Sequence, residues 1–183
     1  GAISHYYKSR SVLLQDVINS VMVPFSENFR AIEHAPGATA EQKLERIIRY
    51  LLEDIQSRRT TRLFPHLWVL ANHDDFVAKA VDSIYILERA TFTKLIAEIN
   101  PALNAAEREG LAVFLSSAVA GSTMFIGYEK PWGQYLPLYS AIACRAIVEL
   151  VRTISPEQLQ AYGWQRSNIG PDWRPPTLLQ PEE

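Results

Sequence analysis

Thr39-Ala40-Glu41-Gln42-Lys43-Leu44-Glu45-Arg46-Ile47-Ile48-Arg49-Tyr50-Leu51-Leu52-Glu53-Asp54-Ile55 is the stretch that decides the fold class. Its aliphatic residues Leu44, Ile47, Ile48, Leu51, Leu52 and Ile55 fall at i, i+3, i+4, i+7, i+8 and i+11, a single stripe on a 3.6-residue period. Thr39 suits an N-cap, because its hydroxyl can accept from the unpaired N–H groups of the first turn, and Glu41 and Gln42 follow within that turn. Pro36-Gly37 ends the segment before it. Ser57-Arg58-Arg59 is expected to close the helix with positive charge at its negative end.

The same punctuation continues in both directions. Upstream, Ser11 to about Glu33 carries the stripe Val12, Leu13, Val17, Ile18, Val21, Met22, Phe25 and Phe29, with a kink expected at Pro24. Downstream, a short helix is predicted around Leu63 to Asn72, then a long one from Phe76 to Ile99 capped by Asn72-His73-Asp74-Asp75 and stopped by Asn100-Pro101. Asn104 to Phe125, a turn over Gly127 to Gly133, and Gln134 to Thr153 come next. Ser155-Pro156-Glu157 opens a last short helix, with Ser as cap and Pro at the first position, and Gly163 ends it. Residues 164–183 read as a Pro-rich tail. No alternating run reads as a strand and no repeat recurs at a fixed period. The chain is therefore expected to be all-α, with about seven to eight helices.

Composition agrees with a folded domain. With 183 residues, 48% hydrophobic and 21% charged, the chain is long and apolar enough for one substantial core and is not a disordered segment. Eighteen Lys and Arg against 20 Asp and Glu give a net charge of -2, which taken whole argues against a strongly basic nucleic-acid binder. The single cysteine, Cys144, sits in an apolar run and is expected to be a buried thiol. No run of 18 apolar residues and no signal-peptide core are seen, so no membrane contact and a cytoplasmic location are expected.

The helix Phe76–Ile99 is apolar over more than one stripe, through Val77, Ala80, Val81, Ile84, Tyr85, Leu87, Thr91, Phe92, Leu95, Ile96 and Ile99, and so is expected at the centre of the bundle. Glu88 falls on that apolar arc. A buried carboxylate needs a partner, since an isolated charge is too costly to desolvate. Two readings stand: Glu88 pairs with an Arg of a neighbouring helix, or Tyr85, Glu88 and Arg89 orient a small ligand in a cavity lined by Phe25, Phe29, Trp68, Phe92 and Phe125.

Catalytic signals are weak. The histidines stand at 5, 34, 66 and 73. His66 and His73 are two turns apart if helical, about 10 Å along an axis, and cannot share a metal unless the helix ends between them. His73-Asp74-Asp75 could offer ligands but is explained more simply as a helix cap. Neither H-E-x-x-H, C-x-x-C, G-x-S-x-G nor a phosphate loop occurs. No catalytic residue, metal or cofactor is expected, with an all-helical enzyme of dispersed residues or a small-molecule-binding protein without DNA function as the alternative.

The opening stretch, Gly1-Ala2-Ile3-Ser4-His5-Tyr6-Tyr7-Lys8-Ser9-Arg10-Ser11-Val12-Leu13-Leu14, reads as a short aromatic helix, a tight basic turn and a Ser-capped helix. His5 and Tyr6 can donate to phosphate oxygens, and Lys8 and Arg10 add charge beside them. These residues resemble the end of the helix-turn-helix of TetR-family transcriptional regulators, with Gly1-Ala2-Ile3 at the start of the recognition helix and Tyr7 packing into the small DNA-binding domain. Arg10 stands where the family usually has Lys, Leu13-Leu14 match its leucines, and Ser4 departs from its frequent Tyr. Leu63-Phe64-Pro65-His66-Leu67-Trp68 and Asn72-His73-Asp74 also resemble a segment of the family's regulatory half.

The resemblance implies a TetR-like helical bundle with a helix-turn-helix remnant at its N-terminus, the first DNA-binding helices lying upstream of Gly1. It implies three regions: 1–15 from the DNA-binding domain, 16–163 for ligand binding and dimerisation, and the tail 164–183. Ser4, His5, Tyr6, Lys8 and Arg10 would contact double-stranded operator DNA. A small, largely apolar effector would modulate that binding, and the protein would act as a repressor. Two-fold operators ask for a homodimer, with recognition helices about 34–36 Å apart. The resemblance places its interface on helices 104–125 and 134–153. Ser116, Ser117, Ala118, Ala120, Gly121 and Ser122 offer close approach, and Leu136, Tyr139, Ile142, Ala143, Ala146, Ile147 and Leu150 an apolar stripe; both fit an internal core equally well. Residues 1–15 carry +2 and the remaining 168 residues -4, so the near-neutral total describes the body and not the head.

Overall fold

Thr39 and Gln42 cap each other: Thr39 Oγ1 accepts from the Gln42 N–H at 3.2 Å, and Gln42 Oε1 accepts from the Thr39 N–H at 3.0 Å. The computed structural model describes the backbone of residues 2–165 and the side chains of residues 12–165. Over that span the regular structure is helical throughout: α1 Ala2–Glu33, α2 Ala40–Asp54, α3 Arg58–Ala71, α4 Asp75–Ile99, α5 Ala105–Ile126, a 3-10 turn Gly133–Tyr135, α6 Leu136–Thr153 and α7 Pro156–Ala161. The expected caps are in place. Asp74 accepts from the N–H groups of Phe76 and Val77, Asn104 and Glu107 cap α5 reciprocally, and Ser155 and Gln158 do the same for α7.

The α2 stripe is the hub of the main core. Leu44, Ile47, Ile48 and Leu52 are fully buried against Phe29 of α1, Phe92, Leu95 and Ile96 of α4, Leu115 of α5 and Val151 of α6. Each such side chain contributes about 1.5–3 kcal/mol by leaving water. As its apolar breadth predicts, α4 is central and packs against α1, α2, α3, α5 and α6. A smaller core of Leu67, Val77 and Val81 joins α3 to α4. Asn100 ends α4 and ties it to α6, its buried amide donating to the carbonyls of Val151 and Ile154 at 2.9 and 2.8 Å.

Several expectations are corrected. No turn interrupts residues 8–10: α1 runs unbroken from Ala2 across the 15/16 boundary, and it continues through Pro24. Proline has no N–H for the carbonyl four residues back, and Arg59 Nη1 from α3 donates to that Ser20 carbonyl at 3.3 Å. Within α1 the core takes Ile18, Val21, Phe25 and Phe29, whereas Val12 and Leu13 are exposed. Ser57-Arg58-Arg59 does not close α2 but opens α3, with Ser57 accepting from the Thr60 N–H. Asp54 at the end of α2 offsets the cations at this unfavourable helix end, lying 3.8 Å from Arg59 and accepting from Thr60 Oγ1 at 2.6 Å.

The helix α6 buries Ser140, Cys144, Ile147 and Val151 and leaves Ile142 of the expected stripe outside. By length and composition alone α5 is long and apolar enough to cross a membrane. Its Leu111, Ala112, Leu115 and Val119 are spent on the bundle core.

Where α5 ends, Gly127 is required by close approach. A Cβ there would lie 2.6 Å from both Thr123 O and Thr61 Oγ1. Thr61 Oγ1 donates to Ile55 O at 2.5 Å and accepts from the Tyr128 N–H at 2.7 Å, and Gln56 Nε2 donates to Ile126 O. These bonds fasten the α2–α3 junction to the end of α5.

Candidate functional site

A cavity of about 40 Å³ lies between the main core and the smaller one, enclosed by α1, α2, α3, α4 and α5. It has room for water but not for a drug-sized molecule, whose sites run to about 300–1,000 Å³. Phe25, Phe64, Trp68 and Tyr85 supply aromatic walls, with Leu51, Ile55, Ile84 and Val119 as aliphatic floor. The polar groups are Asp54, Thr60, Glu88 and Thr123. Phe64 and Trp68 are one turn apart on α3, ring centroids 6.3 Å apart. Trp68 Nε1 donates to Tyr85 Oη at 3.0 Å, fixing both rings.

Glu88 is the unusual group. It is 5% exposed, and its Oε1 has no hydrogen-bond partner. Burial pushes its carboxyl up to about 7, against the opposing pull of Ser116 on α5 and the charge of Arg89. Ser116 is near enough to favour the charged form, yet Ser116 Oγ is likewise left without a hydrogen-bond partner. Among the described residues no Arg from a neighbouring helix pairs with Glu88. Arg89 faces Glu109 of α5 instead, Nε to Oε1 at 3.4 Å, while Thr93 Oγ1 donates to Glu109 Oε2 at 3.1 Å. Burial also pushes the Tyr85 phenol up to about 12, with the Trp68 N–H pulling down and the Glu88 charge adding to the rise. Tyr85 is therefore neutral around neutral pH.

Of the residues expected around a ligand, Phe25, Trp68, Tyr85 and Glu88 line this cavity. The other four expected lining residues go elsewhere. Phe29 and Phe92 are core side chains, Arg89 belongs to the Glu109 pair, and Phe125 is 60% exposed beside Trp132 on the outer surface. Missed in sequence were Asp54, Thr60, Phe64, Ala120 and Thr123. A signal existed for two of them: Ser116, Ala120 and Thr123 fall at i, i+4 and i+7, a face of the small-residue patch turned towards α4 and the cavity. The side chains of Ser4, His5, Tyr6, Lys8 and Arg10 lie outside the described residues, as do residues 166–183 of the tail. Among the described residues no group of three His, Cys, Asp or Glu comes together to hold a metal. Comparison with protein-family profiles, with curated proteins and with solved structures finds no match to this chain.

Proposed function

We propose that this chain is the effector-binding and dimerising body of a TetR-like transcriptional regulator, a repressor whose grip on operator DNA changes when a small, largely apolar ligand enters the Glu88 cavity. The observation that carries this reading is that cavity and head share one helix. Phe25, on the cavity wall, belongs to α1, and α1 extends back to Ala2 through the segment holding Ser4, His5, Tyr6, Lys8 and Arg10. A ligand that displaces Phe25 therefore acts on the helix that leads to the DNA-contacting residues. It works by differential affinity for two arrangements of α1 and not by catalysis.

The homodimer is supported by the outer face of α5 and α6. Phe114, Ala118, Tyr139, Ile142, Ala143 and Ala146 line an apolar groove there, with Phe114 53% and Ile142 58% exposed. Met124, Phe125 and Leu138 extend the exposed apolar surface on the same two helices.

The unbroken α1 favours a second reading, a helical small-molecule-binding protein without DNA function. The coding sequence upstream of Gly1 separates the two. In-frame codons for two further helices, basic and capped, support the regulator, and an initiator Met directly before Gly1 overturns it. With the chain so extended, selection from random DNA duplexes should return a two-fold symmetric site whose affinity falls steeply with salt.

A further inference from the structure

We infer that the Glu88 cavity takes an organic cation, a quaternary or protonated amine on an apolar body, with its charge against the Glu88 carboxylate and its skeleton against Phe25, Phe64, Trp68 and Tyr85. This rests on the ligand-cavity reading above and names the class of ligand.

Charge is the first argument. Among the described residues, Asp54 and Glu88 are the charged side chains in the wall, so an anion entering it would meet two carboxylates. Asp54 already has Thr60 Oγ1 at 2.6 Å and Arg59 at 3.8 Å. Glu88 Oε1 is unbonded, and the adjacent guanidinium of Arg89 is held by Glu109. A neutral apolar ligand would bury that oxygen still unsatisfied, whereas a cation supplies the missing counter-charge where low polarity makes it most effective.

The walls are the second argument. Aromatic side chains attract cations through their ring quadrupoles, most strongly when water is excluded, and four of them line the cavity together with Glu88. Entry requires the cavity to widen, since its present volume is about 40 Å³.

Isothermal titration calorimetry on the 183-residue protein tests this with three probes of similar size: phenyltrimethylammonium, its neutral isostere tert-butylbenzene, and benzenesulfonate. At a pH above about 7, where Glu88 is ionised, the cation should bind at least about tenfold tighter than tert-butylbenzene, and benzenesulfonate weakest. Glu88→Gln, checked for folding by circular dichroism, should remove the preference for the cation over tert-butylbenzene. Trp68→Leu should weaken the cation more than the neutral isostere. Equal binding of cation and isostere, or a preference that survives Glu88→Gln, overturns the cation inference and leaves an apolar-ligand cavity standing. Binding of none of the three at millimolar concentration overturns both.

Discussion

Replacing Glu88 by Gln should make the protein more stable at alkaline pH and leave it nearly unchanged in acid. In the unfolded chain this carboxyl titrates near its ordinary 4.5; in the folded protein burial, opposed by Ser116 and Arg89, pushes it up to about 7. Between those values the folded state holds the proton more often than the unfolded state does, so stability falls as pH rises through the window. The contribution of the neutral carboxyl is fully present below 4.5 and lost above about 7.

At about 1.4 kcal/mol for each pH unit separating the two values, the loss reaches about 3 kcal/mol, a large part of the 5–15 kcal/mol typical of a whole domain. The ionisable groups around Glu88 are Tyr85 and Arg89 on α4, Asp54 from α2, and Glu109 from α5 through its pair with Arg89. Tyr85, pushed up to about 12, stays neutral across the window and does not mask the effect. Gln keeps the shape and cannot ionise, so its stability lacks this slope.

Urea denaturation from about pH 5 to pH 8, followed by tryptophan fluorescence, should give two curves that meet in acid and diverge by roughly 1–3 kcal/mol at the alkaline end. In thermal melts that difference is roughly 3–10 °C for a chain of this length. Parallel curves across the range, or a Gln variant less stable at pH 8, would show that Glu88 is ionised and satisfied, and the reasoning about its environment would fail.

Gly127→Ala should cost about 2 kcal/mol, because the new methyl displaces Thr61 from its bonds to Ile55 and Tyr128; an unchanged melting temperature contradicts this. Pro24→Ala restores the N–H that Ser20 O lacks and should raise stability by up to about 3 kcal/mol. Arg59→Ala should then cost less in the Pro24→Ala background than in the wild type, and strictly additive effects in a double-mutant cycle would refute the role of Arg59 as substitute donor. Phe114→Asp and Ile142→Asp, both at exposed positions, should leave the melting curve of the protomer intact while converting a dimer to monomer in sedimentation velocity; a wild-type protein that sediments as monomer at micromolar concentration defeats the dimer.

Much of the fold was legible because its signals are local. The caps Thr39, Asp74, Asn104 and Ser155 each act within three residues, and all four start helices where expected. Ser57-Arg58-Arg59 was misread because charge preference alone assigns cations to a helix C-terminus, while the deciding partner, Asp54, reaches them across the junction from α2. Likewise the basic run Lys8-Ser9-Arg10 contains no glycine or proline to break a helix, and α1 passes through it.

The candidate site was legible only in part. The apolar arc of α4 correctly places Glu88 inside the protein, since a 3.6-residue period determines which face is buried. It carries no information on what that face meets. Phe29, Phe64, Phe92 and Phe125 are the same residue type on helical segments, yet two are core, one lines the cavity and one is exposed. The sequence by itself determined that the chain is helical, where most helices begin and end, and that α4 is central, because backbone capping and helical periodicity are short-range. Only the tertiary structure decided that Glu88 lacks a counter-ion and stands among aromatic rings from three helices. That depends on how helices remote in sequence cross, where a rotation of one residue exchanges a core contact for a cavity wall.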